Sequence, residues 1–369
     1  MTDLIGELRA RRLVRELDPI RRPGAGRPTR PIDFDGEPWC VLGVHIDIDQ
    51  VRFACTTVGG RELWSEDVRS DLTGSGPDAA LAAFTDQLRA QLGRVPADSR
   101  MIAVEIAVPG YVTRDGGTVS WSPSLGWRDV DLAGAVELII DETGSAAHVG
   151  VSNATQLAAL HAARIELPLP PGSIVAYLGG NRAIDSGLII DGEIFRGAAG
   201  GAGDFGHLSV ETDADRGSCW CGRLDCLESV AGLRRLLTAG GLCAAAEAAQ
   251  LVNDQPLKAT QLLLEAANAG DPGVLATLEQ AGATLGMAAD DIIGMFNPHA
   301  VVLGGYLGAL SGYLLPPMKA RLGERLSIAA FADTQLLAVE QGVPREVAGA
   351  TLAARDACFY DPMALTRPL

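Results

Sequence analysis

The chain has 369 residues, 47% of them hydrophobic, which is too long for one ordinary domain and about right for two with substantial cores. Its net charge of −16 is unevenly placed, since residues 1–31 carry eight arginines against four acids and the remainder therefore carries about −20. An acidic body of this kind repels nucleic acid, so any DNA contact is confined to the arginine-rich start.

No apolar run approaches the roughly 20 residues of a membrane span. Met1 leads into a charged segment rather than a basic tip and an apolar run, so no secretory signal is visible and a soluble cytoplasmic protein is expected. Between Asp3 and Leu17, the residues Leu4, Ile5, Leu8, Leu13 and Val14 fall close to one helical face. A Pro/Gly/Arg-rich stretch from Pro19 to Pro31 cannot continue that helix. Val41 to Ala54 alternates as a strand, with Glu62 to Arg69 as a hairpin partner. Ala79 to Leu92 reads as an amphipathic helix, and Met101 to Val108 as a central strand ending in Pro109-Gly110. A proline-rich joint at Pro168–Gly172 opens the second half, where Ser173–Leu178 and Ile184–Ile190 read as strands around a turn at Asp191-Gly192. Helices dominate from Val230 to Phe296, followed by a short buried strand, Ala300–Leu303, and helices over Leu307–Leu322 and Arg345–Ala357. Strands alternating with helices indicate an α/β fold, and no internal sequence repeat is visible.

Three of the seven cysteines, Cys219, Cys221 and Cys226, fall within eight residues, downstream of His207. Reduced thiols clustered in this way point to a metal rather than a disulfide. One imidazole and three thiolates suit tetrahedral Zn²⁺, and four protein donors make the site structural. Gly222 permits the tight reversal such a knuckle needs, and Asp225 is a competing but harder donor. Cys40, Cys55, Cys243 and Cys358 sit in apolar surroundings and read as core filler.

The run from Gly203 to Ser229, GDFGHLSV followed later by CWCGRLDCLES, resembles the signature of the ROK family (repressors, open reading frames and kinases). There a Glu-x-Gly-His precedes C-x-C-G-x-x-G-C-x-E; here the first acid is Asp204, and Asp225 replaces the glycine before the last cysteine. SPSLGWRDVDL (Ser122–Leu132) resembles the family's sugar-side loop, DGEIFRGAAGGAGDFGH its hairpin, and NPHAVVLGGYLG (Asn297–Gly308) the strand and turn on its adenosine side. The resemblance covers residues 12–357. It implies two ribonuclease-H-like (actin- and sugar-kinase-like) α/β domains with a cleft between them, over residues 38–165 and 166–369, the last helix packing back on the first domain. It also implies sugar contacts from Asn153, Asp204, His207 and Glu228, whose amide, imidazole and carboxylates suit hydroxyl groups.

The same resemblance argues against catalysis. In ROK kinases the base is the aspartate of an Asn-Asp pair at a helix start, and here Asn153 is followed by Ala154. Loss of a general base costs about 10²–10⁴ in rate. The first phosphate loop, Asp-Ile-Gly-Gly-Thr-Lys in kinases, corresponds to His45-Ile46-Asp47-Ile48-Asp49-Gln50, where two carboxylates would repel phosphate. The second reads Gly179-Gly180-Asn181-Arg182-Ala183-Ile184-Asp185, and only Gly304-Gly305 keeps the family's glycines. No catalytic residue is therefore expected.

Non-catalytic ROK members are typically sugar-responsive transcriptional regulators with a winged helix-turn-helix ahead of the sugar-binding body. Residues 1–37 resemble the end of such a domain: Leu4–Arg12 the recognition helix, Arg12–Leu17 the first wing strand, and Gly24–Phe34 the wing and return strand. Arg9, Arg12 and Arg27 would then contact DNA. A recognition helix needs helices before it, so these 369 residues alone are expected to bind DNA weakly or not at all. The expected partners are a sugar or sugar phosphate, DNA where a complete N-terminal domain is present, and a second copy in a homodimer or homotetramer, with no membrane. The alternatives are a sugar-binding protein without DNA function and a glucokinase-like ROK kinase.

Overall fold

The computed structural model describes residues 2–10, 14–19, 30–73, 76–210, 219–325 and 333–360. At its start, α1 (Thr2–Ala10) precedes two short strands, β1 (Val14–Glu16) and β2 (Ile32–Phe34), paired antiparallel with Val14 opposite Phe34. The helical face read from Asp3 to Leu17 therefore divides, because Val14 to Glu16 pair with β2 instead of extending the helix. Arg9 and Arg30 both donate to the Glu16 carboxylate, at 2.6 and 3.0 Å.

The chain separates into two compact units, Met1–Ala154 with Glu346–Leu369, and Thr155–Arg345. In the first unit, β3 (Trp39–Ile46) and β4 (Gln50–Thr57) occupy the stretch expected as one strand. The alternation is continuous, but the Asp47 amide bonds back to the Gln50 carbonyl at 2.9 Å and the Asp47 carboxylate accepts from the Ile48 amide at 2.8 Å, closing a hairpin. β5 (Glu62–Arg69), α2 (Pro77–Leu92) and β6 (Arg100–Val108) follow, then a small antiparallel sheet of β7 (Tyr111–Val112), β8 (Thr118–Ser122) and β9 (Trp127–Asp131). The Asp131 carboxylate caps α3 (Leu132–Glu142) by accepting from the Gly134 amide at 2.9 Å. β10 (His148–Asn153) completes a sheet in the order β10-β6-β3-β4-β5, with β10, β6 and β3 parallel and β4 and β5 antiparallel. One face packs Phe84 and Leu88 of α2 and Ile139 and Ile140 of α3 against Val104, Ile106 and Val151.

At the boundary, α4 (Ala154–His161) runs into a π-turn over Ala162–Glu166, leading to β11 (Val175–Gly179), β12 (Asp185–Ile190) and β13 (Glu193–Ile194) of the second unit. Helices α5 (Glu228–Ala231), α6 (Leu233–Ala239), α7 (Ala245–Asp254), α8 (Pro256–Asn268) and α9 (Pro272–Phe296) precede β14 (Ala300–Leu303). Asp271 and Pro272 start α9, the carboxylate accepting from the Gly273 and Val274 amides, and Asn297 ends it in left-handed backbone at φ 42°. After α10 (Gly305–Ala309), α11 (Ser311–Arg325) packs closely on α9. A Cβ at Gly282 would lie 2.4 Å from Pro317 Cγ, and one at Gly286 2.7 Å from the Met318 carbonyl. β15 (Gln335–Ala338) closes the second sheet, β13-β12-β11-β14-β15, and α12 (Arg345–Tyr360) lies on the first sheet, with Thr351 and Val347 against Gly43.

Read along the chain, the five strands of each sheet take the same order, third-second-first-fourth-fifth, with the second antiparallel to the first. The molecule is an α/β protein built twice on one topology, without a visible sequence repeat. Among the described residues no helix is long and apolar enough to cross a membrane.

Candidate functional site

In the second unit, a short 3₁₀ turn (Phe205–His207) carries the imidazole toward the cysteines, and Gly206 is what lets it form. A Cβ there would meet the Ile184 carbonyl at 2.3 Å. His207 Nδ1 lies 3.6 Å from Cys219 Sγ, Cys221 Sγ lies 3.5 Å from Cys226 Sγ, and all four donor atoms fall within 4.8 Å of one another. Thiolates at about 2.3 Å from a tetrahedral zinc lie roughly 3.8 Å apart, so this donor set fits the ion. Gly222 turns the chain with φ 89°, and the Gly222 amide donates to the Cys219 carbonyl at 3.0 Å. Asp225 faces elsewhere: its carboxylate accepts from the Ser209 hydroxyl and lies 3.9 Å from the Arg223 guanidinium. Trp220 packs edge-on against the His207 ring with centroids 4.8 Å apart. Of the remaining cysteines, Cys40 and Cys55 are fully buried and Cys243 is half-buried, while the Cys358 side chain lies outside the described residues.

Two of the expected sugar contacts flank this cluster. Asp204 precedes the 3₁₀ turn but does not cap it through its side chain. Glu228 begins α5, and its Oε2 accepts from the Ile184 amide at 2.7 Å. Burial pushes its carboxyl up to about 7, against the pull of that amide and of the Arg234 charge.

Asn153 belongs to the other unit. It ends β10, is 7% exposed, and donates from Nδ2 to the Gly110 carbonyl at 2.8 Å. Ala154 follows as the first residue of α4, 6% exposed. Beneath Asn153 lies a pair that the sequence reading did not single out. The fully buried Ser152 hydroxyl donates to Glu105 Oε1 at 2.5 Å, and Gly150 leaves room for Oε2, which a Cβ would approach to 2.1 Å. A lone acid within Ile102-Ala103-Val104-Glu105-Ile106-Ala107-Val108 was the available signal.

The loops that the resemblance matched to phosphate binding are tight turns in both units. Asp47 and Asp49 sit in the tight β3–β4 hairpin. Gly305, at φ 52°, packs on the second loop so closely that a Cβ would lie 2.1 Å from the Gly180 carbonyl, and the Tyr177 ring fills the space beside Gly179 and Gly304. Arg9 is exposed at the end of α1, whereas Arg12 and Arg27 lie outside the described residues.

The family model described as "ROK family" matches residues 42–357. The xylose repressor of Caldicellulosiruptor bescii is 23% identical over 310 residues, 80% of this chain and 73% of that protein. A glucokinase of Halalkalibacterium halodurans is 26% identical over 304 residues, 79% of this chain and 87% of its own. Among solved structures, a ROK family transcriptional regulator, a homologue of the E. coli MLC protein, superposes with a TM-score of 0.76 at 21% identity, covering 99% of this chain and 90% of that one. That last likeness establishes the fold.

Proposed function

Because this chain belongs to the ROK family, we propose that it is a sugar-responsive transcriptional regulator, a repressor, whose kinase-like body senses a sugar without phosphorylating it. The observation that carries the reading is Ala154: the residue following Asn153 at the start of α4 ends in a methyl group, which takes no proton from a sugar hydroxyl. The Asp47 and Asp49 carboxylates in the β3–β4 hairpin support it independently, because they would repel phosphate. Similarity to a xylose repressor over four-fifths of the chain supports the regulatory half.

In this reading Asp204, Glu228 and His207 of the second unit and Asn153 of the first are the sugar contacts. His207 Nδ1 is turned to the cysteines, which leaves Nε2 as its nitrogen for a hydroxyl. Glu228 gives Oε2 to the Ile184 amide and keeps Oε1 for the ligand. Zn²⁺ held by His207, Cys219, Cys221 and Cys226 would fix the segment carrying Asp204 and Glu228. Where a complete N-terminal domain is present, the arginines Arg9, Arg12 and Arg27 would contact DNA.

The test is a thermal-shift panel of hexoses, pentoses, amino sugars and their phosphates, each with and without magnesium-ATP, alongside a coupled assay for ADP. A sugar that raises the melting temperature while ATP adds nothing is the expected result. Sugar-dependent ADP release would replace it with the kinase reading, which the glucokinase likeness favours.

A further inference from the structure

The small sheet of the first unit carries a row of side chains that the sugar contacts above leave unused. Tyr111 on β7 is opposite Trp121 on β8, which is opposite Arg128 on β9. The two rings are stacked with centroids 5.9 Å apart and planes at 6°, and the Arg128 guanidinium carbon lies 5.9 Å from the Trp121 ring centre.

Backbone geometry turns this row outward. Strict alternation along β9 would send Trp127 and Val130 to opposite faces. Asp129 instead adopts left-handed backbone, φ 51°, and both Trp127 and Val130 are buried. On β8 the ladder with β7 shifts register between Tyr111 and Val112, and both Val119 and Ser122 are buried, leaving Trp121 half-buried and Arg128 exposed between those core positions. Aspartate tolerates that conformation better than most residues, yet it is uncommon outside glycine, and such positions cluster at ligand sites.

The row is joined to Asn153. Gly110, immediately before Tyr111, is the acceptor of the Asn153 amide, and its own backbone presses on Trp121. At φ 122°, a Cβ on Gly110 would lie 2.4 Å from the Trp121 carbonyl. Gly110 therefore links Asn153 to the row.

We propose that Tyr111, Trp121 and Arg128 form a second sugar subsite, so that the effector is a disaccharide or glycoside rather than a free monosaccharide. This rests on the reading that Asn153 contacts a sugar. One ring of the effector lies at Asn153, and the next lies along the row. Tyr111 and Arg128 cover the Trp121 ring from the two neighbouring strands, so the sugar lies across the outward edge of the row, its hydroxyls accepting from the guanidinium N–H groups and exchanging hydrogen bonds with the phenol. Because the three side chains already hold one another in place, little rotamer freedom is lost when the ring arrives.

The experiment measures dissociation constants by calorimetry for paired ligands, xylose with xylobiose, glucose with cellobiose and with maltose, and N-acetylglucosamine with chitobiose. The proteins are wild type, Trp121→Ala, Arg128→Ala and Asn153→Ala, each first checked by circular dichroism and thermal melting. The expected result is that wild type binds one disaccharide about tenfold more tightly than its monosaccharide. Trp121→Ala and, to a smaller extent, Arg128→Ala remove that ratio and leave monosaccharide affinity within about twofold, while Asn153→Ala weakens both ligands alike. Wild-type binding of a monosaccharide with no gain for any disaccharide would overturn the subsite and leave the sugar-sensor reading standing. So would a folded Arg128→Ala protein with an unchanged ratio. Failure of wild type to bind any of these sugars would sink both.

Discussion

Arg345 is the first position to perturb, because its guanidinium ties together three parts of the second unit. Nε and Nη2 donate to the two oxygens of Glu166, each at 2.6 Å, and Nη1 donates to the Glu340 carbonyl at 2.5 Å. The arginine side chain is 5% exposed and that of Glu166 24%. Arg345→Ala leaves a carboxylate without its bidentate partner and a carbonyl without a donor. Breaking a fully buried pair costs about 3–5 kcal/mol, whereas an exposed pair contributes about 0–1. Glu166 keeps partial access to water and contact with His161 Nδ1 at 2.9 Å, which places the expected loss at about 2–4 kcal/mol. Burial pushes the Glu166 carboxyl up, but the Arg345 hydrogen bonds and charge, helped by His161, outweigh it and hold it below the usual carboxylate range. A carboxyl held low in the folded state contributes stability that is present above its unfolded pKa of about 4.3 and is lost as pH falls through the folded value. The gap between wild type and Arg345→Ala is therefore widest near neutrality and narrows on acidification below that unfolded pKa. Urea unfolding at a series of pH values measures it, provided the slope m is unchanged. A gap below about 0.5 kcal/mol at pH 7 would refute the reasoning, as would one that does not shrink in acid.

Three other outcomes follow from the same kind of reading. Cys221→Ser is expected to reduce bound zinc, measured by mass spectrometry of the purified protein, from one per chain to a small fraction, and to lower the melting temperature; full retention would show that three donors suffice. Ser152→Ala deprives the buried Glu105 side chain of its hydroxyl donor and should cost about 1–3 kcal/mol in denaturant unfolding, with a neutral effect showing that this hydrogen bond contributes nothing net. Ala154→Asp should not create a kinase: ADP release is expected to stay at background because the Asp47 and Asp49 carboxylates of the β3–β4 hairpin would still repel phosphate, and a sugar-dependent rise would show that the loss of the base alone had silenced the enzyme.

What could be read in advance divides by the range of the interactions involved. The cluster was legible because its four donors are chemically unusual and three of them are close in sequence, and the structure gathers their donor atoms within 4.8 Å of one another. Most helices of the second unit and the strands β3, β5, β6, β11, β12 and β14 were legible from periodicity, whereas no element was read for β7 to β10, α3 and α4 between Pro109 and Pro168. The β3–β4 hairpin was not, because its turn is made by backbone and Asp47 hydrogen bonds that leave the alternation of Val41 to Ala54 intact. β15 was missed because a four-residue edge strand carries too short a pattern. Pairings between distant segments were out of reach for a different reason: Glu166 and Arg345 are 179 residues apart, and nothing local distinguishes either from a solvated charge.

The duplication is the clearest case. Both sheets take one strand order, and both use a parallel trio with an antiparallel second strand, yet the two halves share no visible repeat. Topology constrains only where apolar strands fall and which way each runs, a condition that many sequences satisfy. Chemistry was therefore free to diverge within a preserved frame. The hairpin joining the first two strands of the first unit holds Asp47 and Asp49, and its counterpart in the second unit holds Gly180, closed against Gly305. In the first unit the family's glycines are replaced by residues that include the Asp49 carboxylate, and for that reason reversing Ala154 alone is not expected to bring phosphoryl transfer back.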